Sequence, residues 1–579
     1  MTSTILSAPF IVIASWIALF CLIAGLGQFA RKAFGLGSPT FDNWLMAFWI
    51  GYAILIAALQ VWHLGLPIDW RTCLVLGALG LVGFILGISS LKRSVVSIPR
   101  LIAVIVVLAP IAFWVANRAL DAQLDFDTGL YHLTSIRWLN EYPVVPGLGN
   151  LHYRLAFNQS FFMFVAALNI YPYANEGLHL ANSLLMIVVI VQSVHSLIYS
   201  LRYPREFSPL RLLYVLLLPV IIYRTTPQLY SANVSSPSPD LSVFILQIVV
   251  TLAFVKCVVE PVETEQRFTL FFITALSAVG ITMKLSFAVF GAAMIVLACA
   301  LWLWSQRQQV QLAARQVLIM LVVVGGLIGG TWVMHGILTS GYPAFPSTFG
   351  ELPVDYKIPA AIATDAADWV YSYARQPHVE SAVVFSSWKW LSTWAGLMKE
   401  SFNEFLFVLP CAVVVITFVI YLLGWLIFRR NREDLRLWLP LLPALLSAIF
   451  WFFSAPDPRF AGSAFWILAL WSVVLLFNLI AKHPSRLIVY AALSIPVTIA
   501  VIVLVMGYAR LKPDTAKFPL LPIAAMKPFL TDSGLIVLIP SNADNPLQLW
   551  DAPLPDTPYE LPLLELRGND LRDGFRTHP

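Results

Sequence analysis

Charge is scarce in this sequence. Asp, Glu, Lys and Arg make up 12% of its 579 residues, about half the usual share of roughly 25%. So little polar surface cannot cover a soluble fold of this length. Disorder is excluded too, since it needs low hydrophobicity and high charge. Cysteine is rare: Cys21, Cys73, Cys257, Cys299 and Cys411 each lie in or beside an apolar run, with no CxxC spacing. That argues against a zinc site or a disulfide framework and leaves small apolar packing residues. No 20–50-residue repeat and no low-complexity stretch is visible, which removes solenoids and tails. The net charge of +5 is spread along the chain rather than gathered on one face, so no nucleic-acid partner is expected. What is abundant is apolar: 59% hydrophobic residues and a mean hydropathy of +0.79. The chain reads as an integral membrane protein.

A span needs about twenty mostly apolar residues. Fourteen segments qualify or come close, near 8–29, 43–61, 73–91, 101–117, 178–200, 210–223, 240–259, 268–283, 285–304, 317–339, 403–428, 437–453, 461–480 and 487–508. No Lys or Arg precedes the first run, so it reads as a retained helix rather than a cleaved leader. The shorter run 157–171, ending in Tyr171-Pro172, reads as an interfacial or re-entrant helix. With the N-terminus outside, alternate short loops hold 18 of the 36 basic residues and seven acids. Lys92, Arg93, Arg429, Arg430, Arg432 and Lys482 are among those bases, and Glu433 and Asp434 among the acids. This is the positive-inside pattern. The long segments 118–177, 224–239, 340–402 and 509–579 then fall outside. The expected organisation is a four-helix membrane region (1–117), a first outer loop (118–177), central helices (178–339), a second outer loop (340–402), C-terminal helices (403–508) and an outer tail (509–579).

The chemistry-bearing stretch follows the fourth span: Leu124-Asp125-Phe126-Asp127-Thr128-Gly129-Leu130-Tyr131-His132, continuing through Arg137, Trp138 and Glu141 to Pro143. Leu130, Leu133, Ile136 and Leu139 recur at helical spacing and predict a helix over about 128–142. Asp127 stands at its start. One reading makes it an N-cap, with Asp125 a solvated loop acid and His132 and Arg137 on a polar face. The other is chemical. A sugar hydroxyl is a poor nucleophile near neutral pH, and a carboxylate within hydrogen-bond reach can take its proton as attack proceeds. Asp125 would orient the acceptor or help hold a divalent cation such as Mg or Mn. No cofactor is fixed by these residues.

Asp127-x-Gly129-x-Tyr131, in the first large loop of a many-span chain, resembles the acidic loop of GT-C membrane glycosyltransferases, with Thr128 where many of those families have Glu. The chain also resembles a bacterial family of uncharacterised multi-span membrane proteins. The shared runs are Asp127-Thr128-Gly129-Leu130-Tyr131-His132, Pro146-Gly147-Leu148-Gly149-Asn150-Leu151-His152, Ser340-Gly341-Tyr342-Pro343 and Ala455-Pro456-Asp457-Pro458-Arg459-Phe460. The GT-C resemblance implies a polyprenyl-phosphate-linked sugar as donor, a glycan, lipid or protein acceptor, and action at the outer face of the cytoplasmic membrane.

Other polar groups fall on the same predicted side. Asn150, His152 and Arg154 belong to a Gly/Pro-marked turn that reads as a rigid loop or as contacts to sugar hydroxyls. Ser235 to Asp240 is a helix-start signature, and Asp240 can face the same space as Asp127. Lys284, between two apolar runs, either snorkels or binds phosphate. Asp457-Pro458-Arg459 is a braced turn or a phosphate site, with Arg459 the first choice for the leaving phosphate. Trp369, Trp388, Trp390 and Trp394 read as interfacial anchors, a carbohydrate platform or a lid. In the tail, 535–540 reads as a strand of a small lid.

The expected protein is therefore an all-α polytopic bundle of about fourteen transmembrane helices with large outer loops. It sits in the bacterial inner membrane, with a periplasmic active face. Asp127 and Asp125 are the candidate catalytic acids. Tyr131, His132, Asn150, His152, Asp240, Lys284, Asp457 and Arg459 are the candidate substrate-binding residues. The alternatives are a lipid-linked glycan transporter or flippase, and an outer-face glycan polymerase or ligase.

Overall fold

The computed structural model describes residues 7–577 apart from 39, 90–97, 123–124, 171, 227–233, 429–434, 482–483, 510, 512–516 and 543–544. Lys92, Arg93, Leu124, Tyr171, Arg429, Arg430, Arg432, Glu433, Asp434 and Lys482 therefore lie outside the described residues. The chain is mostly helical. Eleven helices among the described residues are long and apolar enough to cross a membrane: Ser7–Ala33, Phe41–His63, Trp70–Ile88, Leu178–Arg202, Pro239–Val259, Gln266–Met283, Leu285–Ser305, Arg307–Ser340, Ser401–Leu426, Leu435–Ser454 and Arg486–Tyr508. Three more apolar helices, Val104–Ala119, Pro209–Tyr223 and Ala464–Ile480, are shorter. They fall on expected spans; the first is part of a helix over Ile98–Ala119, whose 22 residues rise about 33 Å, whereas the fifteen and seventeen residues of the other two rise only about 22–26 Å, less than the roughly 30 Å of a bilayer core. The protein is a multi-pass α-helical membrane protein.

The first three helices approach through small residues. A Cβ on Gly27 would overlap the Ala47 carbonyl oxygen, one on Gly51 the Ile23 carbonyl, and one on Gly83 the Gly25 carbonyl. In lipid, helices gain little from excluding water from one another, so close backbone contact supplies the attraction. Gly27→Leu is expected to wedge Ser7–Ala33 away from Phe41–His63. Overpacking of this kind costs about 3 kcal/mol. A lowered unfolding midpoint in detergent, followed by circular dichroism, checks this.

Pro239–Val259 is the most enclosed helix, buried without a break from Pro239 to Val255. Between Leu241 and Val255 it is apolar all round apart from a few hydroxyls and Gln247, as a helix surrounded by others must be. It packs on Gln266–Met283, Leu178–Arg202 and Pro209–Tyr223 and carries Asp240 in its first turn. The segment expected to be an interfacial or re-entrant helix is a short helix, Phe161–Leu168, with Phe161, Met163, Phe164, Val165 and Ala166 all buried, which removes the first alternative. Its apolar residues face every direction, so it sits inside the protein against Leu133–Glu141, Phe41–His63 and Leu178–Arg202 rather than on its surface.

The loops 118–177 and 340–402 and the tail gather at one end of the bundle. The tail forms two antiparallel hairpins, β1 (Met526–Leu530) with β2 (Ile536–Pro540), and β3 (Leu564–Leu566) with β4 (Phe575–Thr577). It grips the first loop. The backbone N–H groups of Leu549 and Trp550 both donate to the Gly129 carbonyl, at 2.8 and 2.9 Å, and Phe575 N–H donates to the Pro146 carbonyl at 2.9 Å. A Cβ on Gly129 would overlap the Gln548 side chain and the Trp550 ring, which is why glycine stands there. Arg137 ion-pairs with Asp551, and Arg567 with Asp355 of the second loop at 2.8 Å.

Asp556 is buried in this clasp. One carboxylate oxygen accepts from Thr134 Oγ1 at 3.1 Å, and the other has no partner among the described residues. Burial pushes its carboxyl up to about 7. It thus holds its proton more tightly folded than unfolded, where an aspartic acid titrates near 4. The stability it contributes is whole below about pH 4 and is lost as pH rises through about 7. Asp556→Asn should therefore make the tail more resistant to proteolysis at pH 8 and leave it unchanged near pH 4.

Candidate functional site

The stretch from Asp125 begins helical geometry earlier than the apolar stripe suggests. Phe126 and Asp127 are already helical, Thr128–His132 is one wide π turn, and a regular α-helix continues over Leu133–Glu141. Asp127 has φ −66° and ψ −27°, and its side chain caps no backbone N–H. The N-cap reading is therefore not what the structure holds. Wide turns of this kind recur at functional sites, and here the turn brings Asp127 and Tyr131 to the wall of one cavity.

Arg459 Nη1 lies 3.4 Å from Asp127 Oδ2, and its Nε lies 2.9 Å from Asp457 Oδ2. Asp457 also caps the short helical turn Pro458–Ala461, accepting from Arg459 N–H at 3.0 Å. Two tryptophans brace that turn: Trp451 Nε1 donates to the Asp457 carbonyl at 2.6 Å, and Trp394 Nε1 to the Pro456 carbonyl at 2.7 Å. Trp394 and Trp390 are buried, whereas Trp388 and Trp369 are exposed. Part of the Trp-rich loop therefore serves to fix the arginine. Burial works against the Arg459 charge, but Asp457, Asp127, Asp240 and Asp125 together hold its pKa above the ordinary value.

Lys284 sits in an extended break between Met283 and Leu285. It does not snorkel outward. Its ammonium ion-pairs with Asp240 and lies 4.5 Å from the centroid of the Phe460 ring, and the Arg459 guanidinium lies 4.8 Å from the same ring. Asp125 Oδ2 faces the hydroxyls of Thr128 and Ser236 at 3.5 and 3.4 Å, and Thr128 Oγ1 faces His132 Nδ1 at 3.3 Å. Burial, then the neighbouring Asp127 charge, raises the Asp125 carboxyl to about 7.

Two cavities meet here. One, of about 240 Å³, is lined by the polar side chains of Asp127, Tyr131, Lys284 and Arg459 and by the apolar ones of Leu285, Phe345, Phe450 and Trp451. A wider one, of about 1470 Å³, holds Asp125 and Asp457 together with Tyr153, Trp369, Tyr373, Glu380, Glu400 and Tyr559. Asp127, Arg154, Trp369, Tyr373, Ala374 and Arg459 line both, and so stand at the junction.

Arg154, read from the sequence as one of three polar residues of a turn, is the one of the three that lines both cavities. It is buried, with its guanidinium 4.8 and 4.9 Å from the Tyr153 and Trp369 ring centroids and Nη1 3.0 Å from the Tyr559 hydroxyl. It has no ion-pair partner among the described residues. A guanidinium held in a cavity without a carboxylate is an anion site in waiting. Beyond that turn, its sequence signal was its place among aromatics, Tyr153 and Phe157.

Four expected contacts do not line these cavities; Asp240, expected to face the same space as Asp127, stands behind Lys284, to which it is ion-paired. Asn150 spends its amide inside the fold, donating to the Tyr356 carbonyl at 2.8 Å and accepting from Thr577 Oγ1 at 3.1 Å. Its role is to tie loop to loop. His152 is enclosed by the Tyr153 and Tyr559 rings. His132 packs behind Tyr131 against Phe162, where burial lowers its pKa to about 4 and keeps it neutral. The acids are poorly placed for a divalent cation: Asp127 and Asp457 face Arg459, and Asp240 faces Lys284. No three His, Cys, Asp or Glu side chains converge among the described residues.

Fold and site together define a polytopic helical membrane protein with a charged, aromatic-walled cleft where its loops meet. Residues 10–466 match the family described as Domain of unknown function (DUF8201), and the chain belongs to that family. No curated protein and no solved structure matches it.

Proposed function

We propose that the chain is a GT-C-like glycosyltransferase that moves a sugar from a polyprenyl-phosphate donor to a glycan, lipid or protein acceptor. The observation that carries this reading is the position of Asp127. It stands, with Arg459 and Arg154, where a cavity with much apolar lining meets a wider one, and Trp369 and Tyr373 line both. The apolar lining suits the first isoprene units of a carrier lipid. The stacked Trp369 and Tyr373 rings, 4.9 Å apart, suit a sugar face.

In this mechanism the acceptor hydroxyl attacks the anomeric carbon. The new C–O bond forms as the bond from that carbon to the phosphate oxygen breaks, and its electron pair leaves with the lipid phosphate. Asp127 takes the hydroxyl proton. Arg154 meets the donor phosphate first, having no carboxylate of its own. Arg459 then shifts from Asp127 toward the charge growing on the phosphate, which strengthens Asp127 as a base at the moment it is needed. No step is routed through a cation. Asp125, held near neutral, limits repulsion against Asp127.

The same reading sets the topology: fourteen crossings with the three shorter helices included, the N-terminus and the site outside, and the basic loops in the cytosol of a bacterium. The test is transfer from a labelled polyprenyl-monophosphate sugar by the purified chain in nanodiscs, beside a diphosphate-linked glycan donor. Transfer from the monophosphate supports the proposal. Turnover of the diphosphate donor alone makes the chain a polymerase or ligase, and turnover of neither overturns the assignment.

A further inference from the structure

The end of the bundle opposite Asp127 carries a second candidate site. Four helices that begin or finish at the Asp127 cleft have their other ends together there. Pro239–Val259 starts with Asp240, Gln266–Met283 stops at Lys284, Ala288–Ser305 follows Ser286, and Leu441–Ser454 leads to Asp457. The first three, 18 to 21 residues long, rise about 27–32 Å, so the two ends are a bilayer core apart.

Between the far ends lies a cavity of about 330 Å³. Phe254, Leu270, Ile273 and Leu301 give it apolar walls, and Arg307 and Arg436 stand at its rim, both exposed. Trp302 also lines it. That side chain is only 8% exposed, yet its indole N–H has no hydrogen-bond partner among the described residues. A buried donor left unmade is costly, and it points to an acceptor that enters the cavity. Next to it, Trp304 is 63% exposed, as an indole at a membrane–water boundary is.

Guanidiniums at the mouth, a buried N–H inside and an apolar slot behind match one ligand chemistry: a phosphodiester joined to an acyl chain. We propose that this cavity binds an anionic phospholipid of the surrounding membrane. Its phosphate rests between Arg307 and Arg436, an ester oxygen accepts from Trp302 Nε1, and the first acyl methylenes lie on Leu270, Ile273 and Leu301. Inorganic phosphate leaves the apolar wall unused, and a zwitterionic headgroup sets its ammonium against two arginines. The proposal does not depend on sugar transfer at the Asp127 cleft.

Native mass spectrometry of the full chain in detergent micelles tests it, with phosphatidylglycerol titrated against phosphatidylcholine. Phosphatidylglycerol is expected to bind about 30-fold tighter, the preference that two arginines confer near an anionic headgroup. R307A/R436A abolishes that preference, and R307K/R436K keeps most of it. Trp302→Phe weakens binding about 2- to 10-fold, the worth of one hydrogen bond. R315A, at an exposed arginine outside the cavity, changes nothing. Should R307A/R436A fail to fold, the lysine pair and Trp302→Phe carry the test. Equal affinity for the two lipids overturns the proposal, as does a preference that survives R307A/R436A. Displacement of the lipid by an equal concentration of inorganic phosphate also overturns it, because the cavity is then a plain anion site.

Discussion

Asp127→Asn is expected to slow sugar transfer by about 100- to 10,000-fold, the range a positioned general base contributes. Asparagine fills the same volume but cannot accept the hydroxyl proton. The fold should survive the change, because Arg459 keeps its 2.9 Å contact with Asp457 and the turn keeps its Trp451 and Trp394 braces. Turnover of a labelled polyprenyl-phosphate sugar, beside the thermal midpoint of the same preparation, separates lost chemistry from lost structure. Undiminished turnover in the asparagine variant would remove Asp127 from the mechanism.

Arg459→Ala should cost about 100- to 1,000-fold, as removal of one preorganised donor to a developing oxyanion does. It also leaves Asp127 and Asp457 facing each other without the cation between them, so the variant should lose stability as well. Arg459→Lys separates the two effects. A lysine restores the charge but offers no planar fork, so it should recover the midpoint more than the turnover. If alanine and lysine behave alike in both measurements, the arginine's shape matters and its charge does not. If alanine lowers only the midpoint, Arg459 is a brace and the phosphate belongs to Arg154 alone.

The membrane character of the chain was legible in its sequence, because a helix in lipid must satisfy its own backbone and expose apolar side chains over a bilayer's thickness. Individual span lengths were less so. Pro209–Tyr223 and Ala464–Ile480 look like spans by composition, yet they are short and packed against longer helices. At the site, the stretch Asp125 to Tyr131 announced itself by two carboxylates beside an apolar run. The contact of Asp127 with Arg459 joins residues 332 positions apart, and nothing local encodes it. Arg154 was harder still, since its surroundings come from Tyr153, Trp369 and Tyr559 in three separate segments. His132, Asn150 and His152 misled for the opposite reason. A histidine or asparagine beside a motif looks like a ligand contact, but each of these is consumed by packing or by bonds to the backbone. Capping preference also pointed two residues too late, because it assumed that the helix began with its apolar stripe.

The two N–H groups that Leu549 and Trp550 lend to the Gly129 carbonyl bear on the order in which this molecule becomes complete. The helices can enter the bilayer as the ribosome delivers them, but the turn carrying Asp127 gains its last ties only from residues made after every one of them. A nascent chain with all its helices inserted therefore still lacks a finished cleft, and maturation waits on delivery of the tail to the same side of the membrane.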